Sequence, residues 1–230
     1  MKTRSLTRAC KRTASVLLCS ASLLLTATPA GAVDVDVTIT GPDGQPLEYA
    51  AVMARWPGAT KPQANLIPAV MDQRNLTFVP HMLVVPQGSQ VVFPNQDKTR
   101  HHVYSFSKTK TFDIKLYIGR PQRPITFDTP GVVTVGCNIH DQMQAFIVVS
   151  DDPRWAITDA NGHARLAALP DSTVTLSIWH PWMISEDARV TRVLEPGTRQ
   201  ARITLDVDPP PTPPASSGSS LQDRFNELSH

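Results

Sequence analysis

Cysteine is almost absent from this chain. Of 230 residues only three are Cys, and two of them, Cys10 and Cys19, fall within the first twenty. Aromatics are sparse at 6%, and charged residues make up only 18%. A basic excess is missing too: the 22 Lys and Arg barely exceed the 20 Asp and Glu. Five of the bases (Lys2, Arg4, Arg8, Lys11 and Arg12) lie in the first 32 residues, which contain no acid, so the remainder counts 17 against 20. A chain so balanced lacks the cationic surface on which phosphate neutralisation holds a nucleic acid. Beyond residue 25 no stretch approaches the 18 apolar residues of a membrane helix. No H-E-x-x-H, phosphate-binding glycine loop or Ser/His/Asp arrangement is present, so no catalytic site is expected. The 41% of hydrophobic residues is enough for a core and excludes a wholly disordered chain.

The start has the three-part pattern of an export signal. Basic residues 1–12 precede an apolar stretch at 15–25, and small residues follow at Ala30-Gly31-Ala32. Paired Arg-Arg is absent, and Cys19 follows Leu17-Leu18, unlike a lipoprotein signal, which has a small residue just before its cysteine. Residues 1–32 are therefore expected to be a cleaved signal peptide, with cleavage after Ala32 and the periplasm as destination. The mature chain then keeps one thiol, Cys137. A lone exported thiol is a buried apolar group, an intermolecular disulfide partner or a metal thiolate.

Beyond residue 32 the chain is rich in short alternating segments. V-D-V-D-V-T-I-T at 33–40 alternates strictly and stops at Gly41-Pro42-Asp43-Gly44, the mark of a half-buried strand. Residues 49–56 read as the returning strand. Further strands are expected at 82–85, 90–93, 102–106, 112–116, 124–127, 132–136 and 145–149, then at 155–158, 163–169, 173–179, 189–194 and 199–207. Gly, Pro, Asn and Asp clusters separate them, which predicts an all-β sandwich or barrel. From Pro209 the composition turns to Pro and Ser, so residues 209–230 are expected to be a disordered tail, although Leu221, Phe225 and Leu228 share one helical face.

One constellation carries chemistry. Cys137, His140 and Met143 have the spacing C-x2-H-x2-M on one tight loop between two apolar strands. His101 and His102 open a strand about 36 residues upstream. Two His and a Cys with a weak axial Met form the blue-copper ligand set, which serves Cu(I) and Cu(II) with little rearrangement. Zinc favours closed N/S sites and has little use for a thioether. Other candidates read as ordinary: His81 and His163 as packing or surface groups, Asp159-x-Asn161-Gly162 as a turn lacking calcium-loop spacing, and Trp179-His180-Pro181-Trp182 as core and rim.

At these residues the stretch from about 70 to 150 resembles a cupredoxin, closest to amicyanin. The resemblance implies a Greek-key sandwich or barrel and copper ligands His101, Cys137, His140 and Met143. It selects His101 over His102 because an Asn, here Asn95, stands six residues before that ligand. It also implies supporting roles for Asn95, His102 and Asn138, with the His102 N–H directed at the thiolate. Gln142 departs from the pattern, which has a large aromatic there. The whole chain resembles bacterial methylamine utilization proteins through F-V-P-H, F-P-N, R-H-H-V-Y-S-F-S and G-C-N-I-H-D. The flanks, with T-G-P-D-G-Q-P-L and T-D-A-N-G-H-A-R-L-A-A-L-P, resemble a carboxypeptidase-regulatory-like, Ig-like β-sandwich. The expected plan is a cupredoxin at 61–150 inserted into a sandwich formed by 33–60 and 151–208, with crossings at 59–68 and 151–154. The alternative plan is two domains in series.

The expected function is a mononuclear copper protein that passes single electrons between periplasmic redox proteins. Four protein ligands leave no open position for substrate, so no enzyme is expected. Copper capture or delivery without redox turnover, and a structural module with a vestigial site, are the alternatives.

Overall fold

The structure, a computed structural model, describes residues 31–121 and 123–208. The expected export segment, apart from its last two residues, and the expected tail lie outside the described residues. Among the described residues there are seventeen strands and no helix. In chain order they are β1 (Ala32–Thr40), β2 (Ala51–Arg55), β3 (Ala69–Val70), β4 (Asp72–Arg74), β5 (Thr77–Val79), β6 (Met82–Pro86), β7 (Ser89–Val92), β8 (His101–Ser107) and β9 (Lys110–Tyr117). Then come β10 (Ile125–Phe127), β11 (Gly131–Cys137), β12 (Gln144–Ser150), β13 (Arg154–Ile157), β14 (His163–Pro170), β15 (Val174–Trp179), β16 (Val190–Leu194) and β17 (Gln200–Thr204).

Alternation in β1 does what a period of two dictates: Val35, Val37 and Ile39 are buried. The strand needs neighbours on both edges and finds them late in the chain. It pairs antiparallel with β14 and parallel with β17. Opposite this three-stranded sheet stands a second one, in the order β13-β2-β15-β16. Their facing side chains, among them Val37, Ile39, Val52, Leu166, Leu176 and Ile203, form one core. Strands from both ends of the chain thus build this unit together.

The chain between β2 and β13 forms other sheets. A five-stranded sheet in the order β6-β12-β11-β8-β9 faces a three-stranded sheet in the order β10-β7-β3. Between them lies a second core containing Met71, Phe93, Val103, Phe127, Val133 and Ile147. The crossings into and out of this unit are tied together. Arg55 donates from Nε to Asp152 Oδ1 at 2.6 Å and from Nη2 to the Asp151 carbonyl at 2.9 Å.

The two units meet across a dry face. Every residue of β12 after Gln144 is buried. Ala145, Ile147 and Val149 point into the second core, while Phe146 and Val148 join Met82, Val84, Ala51, Met53 and Trp179 in a third apolar cluster. The unbroken run A-F-I-V-V reflects this burial on both faces.

Strand positions agree with expectation to within a few residues. Three strands between residues 69 and 79 have no counterpart among the expected ones. The hairpin β4–β5 turns at Asn75-Leu76, where both residues have positive φ (53° and 58°). Such turns are usually signalled by glycine. Here the Asp97 carboxylate substitutes for that signal, accepting the N–H of Asn75 at 2.7 Å and of Leu76 at 3.0 Å.

Candidate metal centre

The end of β11, the start of β8 and the loop before β12 converge at one end of the second core. Cys137 closes β11, where its neighbour Gly136 pairs with Tyr104 and Cys137 itself pairs with Val103. His101 opens β8. The loop carrying His140 is closed by main-chain bonds: the Cys137 N–H donates to the Met143 carbonyl at 3.1 Å, and the Met143 N–H donates to the His140 carbonyl at 2.9 Å. The C-x2-H-x2-M spacing is therefore that of a tight turn between paired strands.

Three donors face one another there. The Cys137 Sγ lies 3.8 Å from His101 Nδ1 and 3.6 Å from His140 Nδ1, and the two Nδ1 atoms are 3.2 Å apart. This triangle tests whether an ion fits. With metal–nitrogen distances of about 2.0 Å and a metal–sulfur distance of about 2.3 Å, a trigonal ion sets its donors about 3.5 to 3.7 Å apart. The two sulfur edges of the observed triangle have about that size, and the Nδ1–Nδ1 edge, at 3.2 Å, is shorter. His101 is fully buried, Cys137 is 4% exposed and His140 is half-buried, so His140 is the most exposed of the three donors. Met143 is 2% exposed and packs in the same apolar cluster as Cys137. A thiolate, two imidazoles and a thioether are the donor set of a copper site.

The surroundings set the direction of His101. Its Nε2 lies 2.9 Å from Asp97 Oδ2. An ionised carboxylate only accepts, so Nε2 carries the proton and Nδ1 keeps its lone pair for the metal. Burial alone would raise the Asp97 carboxyl pKa. The N–H of Leu76, the His101 imidazole and the N–H of Asn75 outweigh it and hold Asp97 below the ordinary carboxylate range. Asp97 is the functional residue that the sequence reading missed. Its signal was a carboxylate four residues before the ligand, and nothing in the sequence showed that the turn of the unexpected hairpin would lean on it.

Asn95, His102 and Asn138 surround the donors at different depths. Asn95 is buried and secures the ligand segment: its Nδ2 donates to the carbonyls of Thr99 (2.9 Å) and Tyr117 (3.0 Å), and its Oδ1 accepts the Asp97 N–H. His102 turns outward to Asp113. Its carbonyl accepts the Asn138 N–H at 3.1 Å, which ties the ligand loop to β8. Below the site Tyr117 donates to the Phe93 carbonyl and accepts from Gln73 Nε2. Burial pushes the Tyr117 phenol up to about 12, so it stays protonated beside the donors. His81 and His163 lie elsewhere, His81 between the rings of Tyr49 and Phe146 and His163 against Thr38.

No family model and no curated protein matches the chain. Solved structures similar to it include a copper-containing nitrite reductase from Thermus scotoductus, at 25% identity over 41% of this chain and TM-score 0.35. This chain spans 25% of that reductase. A purple cupredoxin from Nitrosopumilus maritimus is similar at 20% identity over 36% of this chain and 99% of its own, with TM-score 0.32. An oxidised amicyanin mutant is similar at 19% identity over 43% of this chain and 99% of its own, with TM-score 0.33.

Proposed function

We propose that this protein binds one copper ion through His101, Cys137, His140 and Met143 and carries single electrons between redox proteins of the periplasm. The observation that carries the reading is the donor triangle: a thiol and two Nδ1 atoms, spaced for one ion and held by a fixed outer shell. When bound, copper supplies a one-electron couple. The chain's own contribution is to hold the donors so that neither oxidation state needs rearrangement. β8 and β11 fix His101 and Cys137 through the sheet, Asn95 and Asp97 fix the segment before His101, and the closed loop fixes His140 and Met143. Burial of Cys137 and Met143 keeps water from the sulfur side. Four protein donors leave no place for a substrate, which favours a carrier over an enzyme. His140, the ligand nearest solvent, is the natural contact for a partner. The resemblance to methylamine utilization proteins makes an amine-oxidising donor one partner to assay.

The test is copper loading of the full exported chain. A strong thiolate-to-copper absorption toward the red end of the spectrum, lost in Cys137→Ser, and reversible one-electron voltammetry are expected. A colourless protein that binds Cu(I) tightly and is not reversibly oxidised would instead be a copper capture or delivery protein.

A further inference from the structure

Two large aliphatic side chains stand in water on a segment that is held in place. The crossing into the second unit ends in Asn65-Leu66-Ile67-Pro68. Leu66 is fully exposed and Ile67 is 81% exposed. The backbone is pinned on both sides of the pair. The Asn65 N–H donates to the hydroxyl of buried Ser89 at 3.0 Å, and Ala69 pairs with Val91 where β3 meets β7. Pro68 restricts the chain further. Single exposed aliphatic residues are ordinary, but this pair borders a larger apolar surface. A cleft of about 550 Å³ lies beside it, formed by Ile67, Val70, Val92 and the prolines Pro68, Pro94, Pro121 and Pro124. The cleft is on the outer face of the sheet β10-β7-β3, because Met71, Val91 and Phe93, the neighbours of Val70 and Val92, point into the second core. The flanking unit packs on the opposite side, against Met82, Val84, Phe146 and Val148. Among the described residues nothing covers the cleft face.

Charge around the cleft has one sign. Arg74 and Arg120 line it with a single carboxylate, Asp72, which is 8% exposed and paired with Arg74 at 2.6 Å. Arg120 belongs to one of two loops joined by the bridge between Asn95 and Gly119. Those loops, 96–100 and 118–124, carry Lys98, Arg100, Arg120 and Arg123, all exposed. Among the described residues none of the four is in an ion pair. The one acid in the two loops, Asp97, is committed to His101 and to the amides of Asn75 and Leu76.

We propose that this face rests on a membrane surface rich in anionic phospholipid. Leu66 and Ile67 enter the boundary between headgroups and acyl chains, and Arg120 and Arg123, with Lys98 and Arg100 on the adjoining loop, meet the phosphates. Binding of that kind grows with the apolar area buried and with attraction to anionic lipid. A bilayer fits the arrangement better than a folded partner does. The apolar pair protrudes, and a fluid boundary admits a protrusion without a matching socket. The exposed cations are held by no carboxylate, so they can follow a field of phosphates. Among the described residues no helix is long and apolar enough to cross a membrane, and this face supplies another means of attachment. The inference goes beyond the electron-carrier reading and does not rest on it, since no step uses the metal.

Co-sedimentation of the full exported chain with vesicles tests it, comparing phosphatidylglycerol mixed with phosphatidylethanolamine against phosphatidylcholine alone. Binding to the first only, reversed by salt, is expected. Leu66→Ser with Ile67→Ser should weaken it by about tenfold. Arg120→Gln with Arg123→Gln should weaken it by about thirtyfold at low salt, from about fivefold per cation near such a surface. All four side chains are exposed, so unfolding temperatures should not move. A readout that needs no loss of binding is Leu66→Trp, whose added fluorescence should be quenched by phospholipids brominated on their acyl chains. Equal binding to both lipid compositions, wild-type binding in both double variants, or an indole at position 66 that brominated chains do not quench overturns the proposal. Salt-sensitive binding of polyglutamate without vesicle binding overturns it too, and assigns the face to an acidic protein. A dimer that the Leu66→Ser, Ile67→Ser variant abolishes, again without vesicle binding, overturns it in favour of self-association. Copper-free chain should bind the vesicles as well as loaded chain, so failure of the carrier reading leaves this result standing.

Discussion

Replacing Asp97 by Asn removes a charge and half of an acceptor pair at the point where two jobs meet. The wild-type carboxylate accepts from His101 Nε2 at 2.9 Å, from Asn75 N at 2.7 Å and from Leu76 N at 3.0 Å. An amide has one acceptor oxygen, so its NH2 must face a donor on at least one side. If the oxygen takes the Oδ1 place, it keeps Asn75 N, while the NH2 faces both Leu76 N and His101 Nε2, and His101 loses the carboxylate that fixes its tautomer. Such outer partners are worth about 10- to 100-fold in metal affinity, or about 1.4 to 2.7 kcal/mol. The lost negative charge penalises Cu(II) more than Cu(I), so the potential should rise, by about 59 mV for each tenfold difference between the two states. If the oxygen instead takes the Oδ2 place, it keeps both His101 Nε2 and Leu76 N, and the turn loses only the acceptor of the Asn75 amide, at a cost of about 1 kcal/mol. Copper competition titration, voltammetry and thermal unfolding of the same samples separate the two outcomes. Leu76→Gly is the control: glycine accepts the positive φ, so it should keep both stability and copper affinity. The reasoning is refuted if Asp97→Asn binds Cu(II) within twofold of wild type, at an unshifted potential, with unchanged unfolding temperature.

Met143→Ala should retain copper but shift the potential, since an axial thioether bonds weakly; loss of the metal on dialysis would refute this. Phe146→Ala should cost about 3 to 5 kcal/mol by opening a cavity in the cluster between the units, read by denaturant unfolding. Burial lowers the pKa values of His81 and His180, so the unfolded chain takes up protons near pH 6.5 that the folded one refuses. Stability should therefore fall as pH drops below about 6.5, by at most about 1.4 kcal/mol per group per unit. His180→Gln, which keeps a donor for the Glu48 carbonyl, should flatten that slope, and an unchanged slope would count against it.

Much of this was legible because it is local. Val35, Val37 and Ile39 announce a strand by alternation, and C-x2-H-x2-M announces a turn whose side chains converge. The double burial of β12 was written in A-F-I-V-V, yet nothing in that run names the surface that covers its outer face. Asp97 and the hairpin were illegible for a related reason. Asn75 and Leu76 take a conformation that their own chemistry does not demand, and they take it because a carboxylate 21 residues away from Leu76 holds their amides. Information of that kind lies in pairs of distant residues and is lost when each stretch is read alone.

The pairing of β1 has a consequence for the order in which the chain can mature. Its neighbours begin at His163 and Gln200, so β1 is synthesised well before both of its partners and is among the last of the described strands to find its place. The intervening unit can complete its own sheets first, while β1 waits with both edges unpaired. Asp34 and Asp36, alternating with its valines, are suited to that interval, since charges on an unpaired strand discourage it from joining a stranger. The closing of β17 beside β1 is then the final stitch, and a ligand site assembled earlier would be sealed against its neighbour only when the whole chain has been delivered.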